Sequence, residues 1–226
     1  KLRHYVITHP DFSIFLGLVI LKIGLLLVNI GNYPYVENDE ATYTLRATSF
    51  SESGKLDYYT YWYDHAPAGW ILMSPFILIN SFLNTPISDI LLLRLLIITI
   101  TGIGVGLTYL IGVKLFKRRL PALIAVTLLL ASPLAAYYQR RILLDSIMTF
   151  LLLLSIYVIV RKPRKLQSYG LSGVIFGLSI LSKINAVFVV PAMWLLIWQQ
   201  QKNKMIRRHA LILWTFLAGS VTSLWL

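Results

Sequence analysis

The chain of 226 residues is 57% hydrophobic and carries a formal net charge of +12. That much apolar surface exceeds what a soluble domain of this length can enclose, so lipid is its expected solvent. A nucleic-acid partner, which the charge total alone would suggest, is excluded because the charges are sorted along the chain as in a membrane protein, and the absence of cysteine removes disulfides and thiolate metal sites.

Apolar runs predict membrane-spanning helices over 12–30, 90–113, 120–138, 142–160, 169–182, 184–199 and 210–226. The longer ones approach the roughly 20 residues that cross about 30 Å of hydrocarbon. The alternation of a membrane barrel is absent, so the expected fold is all-α: a polytopic helical bundle with a long helical first external loop at 31–88. Three basic clusters, Lys114 with Lys117, Arg118 and Arg119, then Arg161 with Lys162, Arg164 and Lys165, then Lys202 with Lys204, Arg207 and Arg208, are expected in the cytoplasm together with Lys1 and Arg3. Seven of the nine acidic residues (Glu37, Asp39, Glu40, Glu52, Asp57, Asp64, Asp89) lie between the first two spans, which places that loop outside.

Within the loop, Asn38 is expected to cap a helix over 39–51 that Gly54 ends. The aromatic stretch 58–63 suits the membrane interface, and Pro67 opens an apolar helix to about Phe82. Further on, two cytoplasmic clusters bracket 169–198, too short for two full spans, so a turn is required inside it. Its polar interruption, Ser182-Lys183-Ile184-Asn185, puts Lys183 at that turn, below the outer surface. The chain begins without methionine and stops at Leu226 inside an apolar run, as an amino-terminal piece of a longer protein would.

This topology brings three groups to the outer face: the acidic pair Asp39-Glu40, Arg140 and Arg141 with Asp145, and Lys183. A carboxylate beside guanidinium and ammonium groups suits a reaction in which a hydroxyl loses its proton while a phosphate leaves. Acids in the first turn of a helix also simply complement its dipole, and juxtamembrane arginines often only snorkel to headgroups. Arg46 lies on the Asp39 face at helical spacing and is a candidate partner for it, and Asp145 follows Arg141 at i, i+4. His65 beside Asp64 can donate to a phosphate, and Asp39, Glu40 and His65 leave room for a divalent metal, although nothing in the sequence requires a cofactor. Lys22 and Arg94 lie near the ends or middle of spans with no local partner; they are expected to be buried against another helix or to snorkel, and receive no role. There is no Asp-x-Asp pair, glycine-rich phosphate loop or zinc-protease helix, which disfavours a soluble nucleotide donor.

Four segments in order resemble the membrane glycosyltransferases of the GT-C fold, specifically the dolichyl-phosphate-mannose protein mannosyltransferases and their bacterial relatives, including aminoarabinose transferases. They are Asn38-Asp39-Glu40-Ala41, Asp64-His65-Ala66-Pro67, Arg140-Arg141-Ile142-Leu143-Leu144-Asp145-Ser146 and Gly177-Leu178-Ser179-Ile180-Leu181-Ser182-Lys183. Ala66 replaces the first proline of the usual pair, and Ser182 and Ile184 flank the lysine where threonine and glycine are common. The resemblance implies inverting transfer of a sugar from a polyprenyl-phosphate carrier to a protein, lipid or polymer acceptor outside a bacterial plasma membrane. It makes Asp39 the catalytic base or an acceptor-orienting carboxylate with Glu40 supporting it, and puts His65, Arg140 and Lys183 on the donor phosphate; by position Arg141 is a further candidate for the phosphate, with Arg46, Asp64 and Asp145 in support. The rival of another class is a non-enzymatic lipid-phosphate carrier or flippase, which would use the same cations without a base.

Overall fold

The computed structural model describes residues 10–56, 66–163 and 165–225, and the described residues form helices and connections with no strand. In chain order the helices are α1 (Pro10–Leu27), α2 (Asn38–Ser53), α3 (Ala68–Phe82), α4 (Asp89–Phe116), α5 (Arg119–Ala131) and α6 (Pro133–Tyr138). There follow α7 (Leu144–Arg161), α8 (Leu166–Ser182), a 3-10 helix (Ile184–Val189), α9 (Val190–Gln200) and α10 (Lys204–Thr222). Helices α4 and α7 are long and apolar enough to cross a membrane by themselves. Large apolar side chains such as Ile20, Leu21 and Leu25 on α1, Leu120 and Leu128 on α5, and Ile212 and Phe216 on α10 are exposed, while Lys22, Arg94, Ser155 and Ser172 are buried. That inversion is what a lipid solvent favours.

Two ends can be distinguished. At one, Gln201 Nε2 donates to Pro163 O at 3.1 Å, joining the second and third basic clusters, and Ile111 of α4 packs with Val160 of α7 to bring the first cluster level with them. The other end carries the acidic loop. There α2 and α3 lie against the bundle through a core of Tyr43, Ala47, Trp70, Met73 and Ile77 with Leu93, Ile97, Ile142, Leu144 and Ile147. Gly54, at φ 65°, ends α2 with its N–H bonded to Phe50 O at 3.0 Å, a left-handed cap natural to glycine.

Three expectations are corrected. Asn38 is the first helical residue of α2 and not its cap; Glu37 holds the cap position without a side-chain cap bond, because its carboxylate is engaged elsewhere. The span expected at 120–138 is broken: Ser132 precedes Pro133, and proline disfavours the helical conformation of the residue before it. Ser132 is accordingly extended and restarts the chain as α6, its Oγ accepting from the N–H of Ala135. The break leaves carbonyls of the last turn of α5 without helical partners, and Lys22 Nζ donates to Leu130 O at 2.9 Å. The lysine without a local partner is thus the cap of a broken helix. Third, α10 starts at Lys204, six residues before the expected 210, so most of the third basic cluster is helical.

The turn between the second and third clusters falls at Lys183, which is extended and closes α8. The outward leg, 17 residues of α-helix, rises roughly 25 Å. The return leg gains height by beginning as a 3-10 helix and spans about 28 Å with α9. Leg and return both come near the hydrocarbon thickness, so the turn lies only a short way below the level of the acidic end. On its other face α8 approaches α10 closely: a Cβ on Gly173 would lie 2.6 Å from Trp214 O, and one on Gly177 2.9 Å from Ala218 O. This is the small-residue spacing by which membrane helices meet, and Ser172 Oγ bonded to Ser155 Oγ (2.8 Å) and accepting from Trp214 Nε1 (3.1 Å) ties α7, α8 and α10 together.

Candidate functional site

The geometry at the acidic end is built around Arg94, on the second turn of α4. Its guanidinium donates to both oxygens of Glu40 (Nε to Oε1, 3.0 Å; Nη2 to Oε2, 2.9 Å) and to the carbonyls of Ile30 (2.9 Å) and Pro34 (2.7 Å). The Ile142 N–H adds a bond to Glu40 Oε1 at 3.1 Å. Both side chains are sealed, at 1% and 0% exposure. One ion pair therefore clamps the exit of α1, the start of α2, α4 and the segment leading into α7. An isolated charge in such a place would cost several kcal/mol, and only this full set of partners makes it tolerable.

Asp39 and Glu40, expected as a catalytic pair, part company here. Glu40 has both oxygens engaged by Arg94 and Ile142, so in this arrangement its carboxylate holds these segments together. Asp39 is exposed, and among the described residues its carboxylate has no hydrogen bond or ion pair. Arg46 does not reach it. Seven residues on a helix are two turns, about 10.5 Å, and the Arg46 guanidinium lies over the Trp70 ring, 4.5 Å from its centroid.

Arg141 is buried and pairs with the Glu37 carboxylate, donates to the Tyr137 hydroxyl and stacks 4.3 Å from the Tyr137 ring centroid. The expected pairing of Arg141 with Asp145 fails because α7 starts only at Leu144 and residues 139–143 form a turn, so no helical i, i+4 alignment exists. Arg140 donates to the carbonyl oxygens of Val28 and of Tyr33 (2.9 Å for the latter) and lies 5.3 Å from the Tyr33 ring centroid. Burial first, with the nearby Arg94 charge adding to it against the opposing effect of Tyr33, holds the Arg140 guanidinium below its ordinary pKa. Both arginines, expected on the donor phosphate, thus have partners within the protein.

Lys183 Nζ reaches Asp145 Oδ2 at 2.6 Å, and the two side chains are 19% and 48% exposed, so this pair opens to the surroundings. A Cβ on Gly69, in the first turn of α3, would lie 2.5 Å from Leu144 and 3.9 Å from Ser182, so the start of α3 arrives at the same spot. His65 and Asp64, with the aromatic stretch 58–63, lie outside the described residues. Among the described residues no three carboxylate or imidazole groups gather as a metal site.

The structure therefore brings the Asp39 turn to the 140–142 segment, through Glu37 and Glu40 on either side of it, and brings Lys183 to Asp145 three residues beyond Ile142. Sequence reasoning missed Arg94, Glu37 and Tyr137. The signal for Arg94 was present: a guanidinium inside an apolar span requires a carboxylate, and the surplus of acids in the preceding loop was the place to seek it.

Fold and site together define an all-α membrane protein of the GT-C type, with an acidic helix and a ledge of cations gathered at one end. The chain matches the family model described as dolichyl-phosphate-mannose-protein mannosyltransferase over residues 64–226, most of its length, and it belongs to that family. It is thereby a membrane glycosyltransferase of a family that draws on a lipid-linked sugar donor. No curated protein matches the chain.

Proposed function

We propose that the chain carries the acceptor-activating and phosphate-binding part of an inverting glycosyltransferase that uses a polyprenyl-phosphate sugar on the outer face of a bacterial plasma membrane. The acceptor hydroxyl attacks the anomeric carbon from the side opposite the phosphate; the bond from that carbon to the phosphate oxygen breaks, and the electron pair leaves on the phosphate. The hydroxyl proton passes to Asp39, and Lys183 offsets the charge growing on the departing phosphate. Arg140 and Arg141 hold the wall of the site and add positive potential, His65 remains the second candidate on the phosphate, and Asp145 orients Lys183. A divalent metal remains a candidate at Asp39 and His65.

The observation that carries this reading is an exposed Asp39 without a partner among the described residues, fixed by the Glu40–Arg94 clamp beside the segment that leads to Asp145, the partner of Lys183. Full-length protein in lipid, incubated with a panel of radiolabelled polyprenyl-phosphate sugars, tests it through the labelled product. Asp39→Asn is expected to lower turnover by about 10²- to 10⁴-fold, the usual worth of a general base, with donor binding retained. Turnover unchanged in that variant would remove Asp39 as the base, and donor binding without any labelled product from the unaltered protein would leave a lipid-phosphate carrier as the better reading.

A further inference from the structure

Between α9 and α10, at the end opposite the site, a groove of about 890 Å³ is lined by Trp194, Leu195 and Trp198 on one wall and Leu211, Ile212 and Phe216 on the other. Its size falls within the about 300–1,000 Å³ of ligand pockets. Trp194 Nε1 donates to Thr215 Oγ1 at 3.0 Å, bridging the two walls. A second hollow of about 400 Å³ shares Trp198, Leu211 and Ile212 with the first and is completed by Lys204, Arg207 and Arg208. The apolar groove thus runs into a cationic mouth. The Arg207 guanidinium lies 3.7 Å from the Trp198 ring centroid, marking the boundary, while Lys204 and Arg208 are exposed. No carboxylate side chain occurs in the sequence after Asp145, so none on these helices neutralises that mouth.

We propose that this groove is a binding site for an anionic phospholipid of the leaflet at the basic end, its acyl chain between α9 and α10 and its phosphate at Lys204, Arg207 and Arg208. The dimensions fit: from Lys204 to Phe216 the helix rises roughly 18 Å, close to the about 15 Å depth of one leaflet. Water in a groove of indole and aliphatic walls is unfavourable, and a zwitterionic headgroup would leave the cations uncompensated. The polyprenyl donor is a poorer fit, because the proposed reaction puts its phosphate at the other end of the bundle.

The test places the full-length protein in phosphatidylcholine vesicles containing a small fraction of brominated lipid, either phosphatidylglycerol or phosphatidylcholine, and reads quenching of tryptophan fluorescence. Brominated phosphatidylglycerol is expected to quench preferentially, with the preferential component reduced in Trp198→Phe and lost when Trp194→Phe is added. In Lys204→Gln and Arg208→Gln, exposed changes that disturb no packing, the preference should fall by about fivefold for each charge removed, the scale of one juxtamembrane cation. In unaltered protein, raising the salt should weaken it as well. Equal quenching by the two headgroups, a preference untouched by both substitutions, or displacement of the brominated lipid by unlabelled polyprenyl phosphate more readily than by unlabelled phosphatidylglycerol would overturn the proposal. The first two of these outcomes leave the sugar-transfer reading untouched; the third, which would put a polyprenyl phosphate at the basic end, counts against both.

Discussion

Asp39 and Glu40 are neighbours of the same chemical type, yet one turns outward and the other is sealed against Arg94. Their substitutions should separate accordingly. Glu40→Gln leaves a guanidinium buried with incomplete compensation and is expected to lower stability by about 3–5 kcal/mol, seen as a fall in thermal midpoint in detergent, whereas Asp39→Asn should leave that midpoint unchanged. Replacing both members, as in Glu40→Leu with Arg94→Leu, should recover part of the loss, because no uncompensated charge then remains. Lys183→Gln tests the other charged pair. Asp145 is half exposed, so the stability cost should stay within about 1 kcal/mol, while donor binding, measured as retention of labelled polyprenyl-phosphate sugar, should weaken markedly. The acids and cations themselves were legible in the sequence, because charge is rare in so apolar a chain. Their partners were not: the pairs Arg94 with Glu40, Arg141 with Glu37, and Lys183 with Asp145 join residues 38 to 104 positions apart, and only the folded bundle selects among them.

The elements show where periodicity and composition suffice. Apolar runs foretold α1, α4 and α7 to within a few residues, and the crowding of two basic clusters around a short segment foretold a turn at Lys183. The break at Pro133 escaped notice because the run on either side is uniformly apolar, and hydropathy is blind to a backbone effect. The Gly173 and Gly177 spacing on α8 likewise acquired meaning only when α10 was placed against it. Gly177→Leu should force the two helices apart, since the new side chain meets Val221 and the Ala218 carbonyl. A loss of about 1–3 kcal/mol is expected from such overpacking, again read from thermal unfolding, with Gly219→Leu, where a Cβ meets nothing within 4 Å, as the control.

For the molecule as a whole, the segregation of acids to one end and basic clusters to the other is a statement about sidedness as well as fold. These 226 residues contain no cysteine, so a single cysteine introduced into them is the only one in this part of the protein and sidedness is directly measurable. With a membrane-impermeant maleimide added to intact cells, Glu52→Cys should be labelled, whereas Lys165→Cys should react only after the membrane is opened. The reverse pattern would place the candidate site on the cytoplasmic side and remove the outer-face reaction.

The clamp at Arg94 also has a history within each molecule's synthesis. Arg94 is made after Glu40, Ile30 and Pro34, so most of what satisfies it has already left the ribosome when it enters the membrane. The remaining donor to Glu40, the amide of Ile142, arrives only after two further helices have been threaded. Insertion therefore delivers a half-assembled knot that tightens when the head of α7 docks, and a nascent chain stalled before that point should leave the acidic helix loosely held and open to protease.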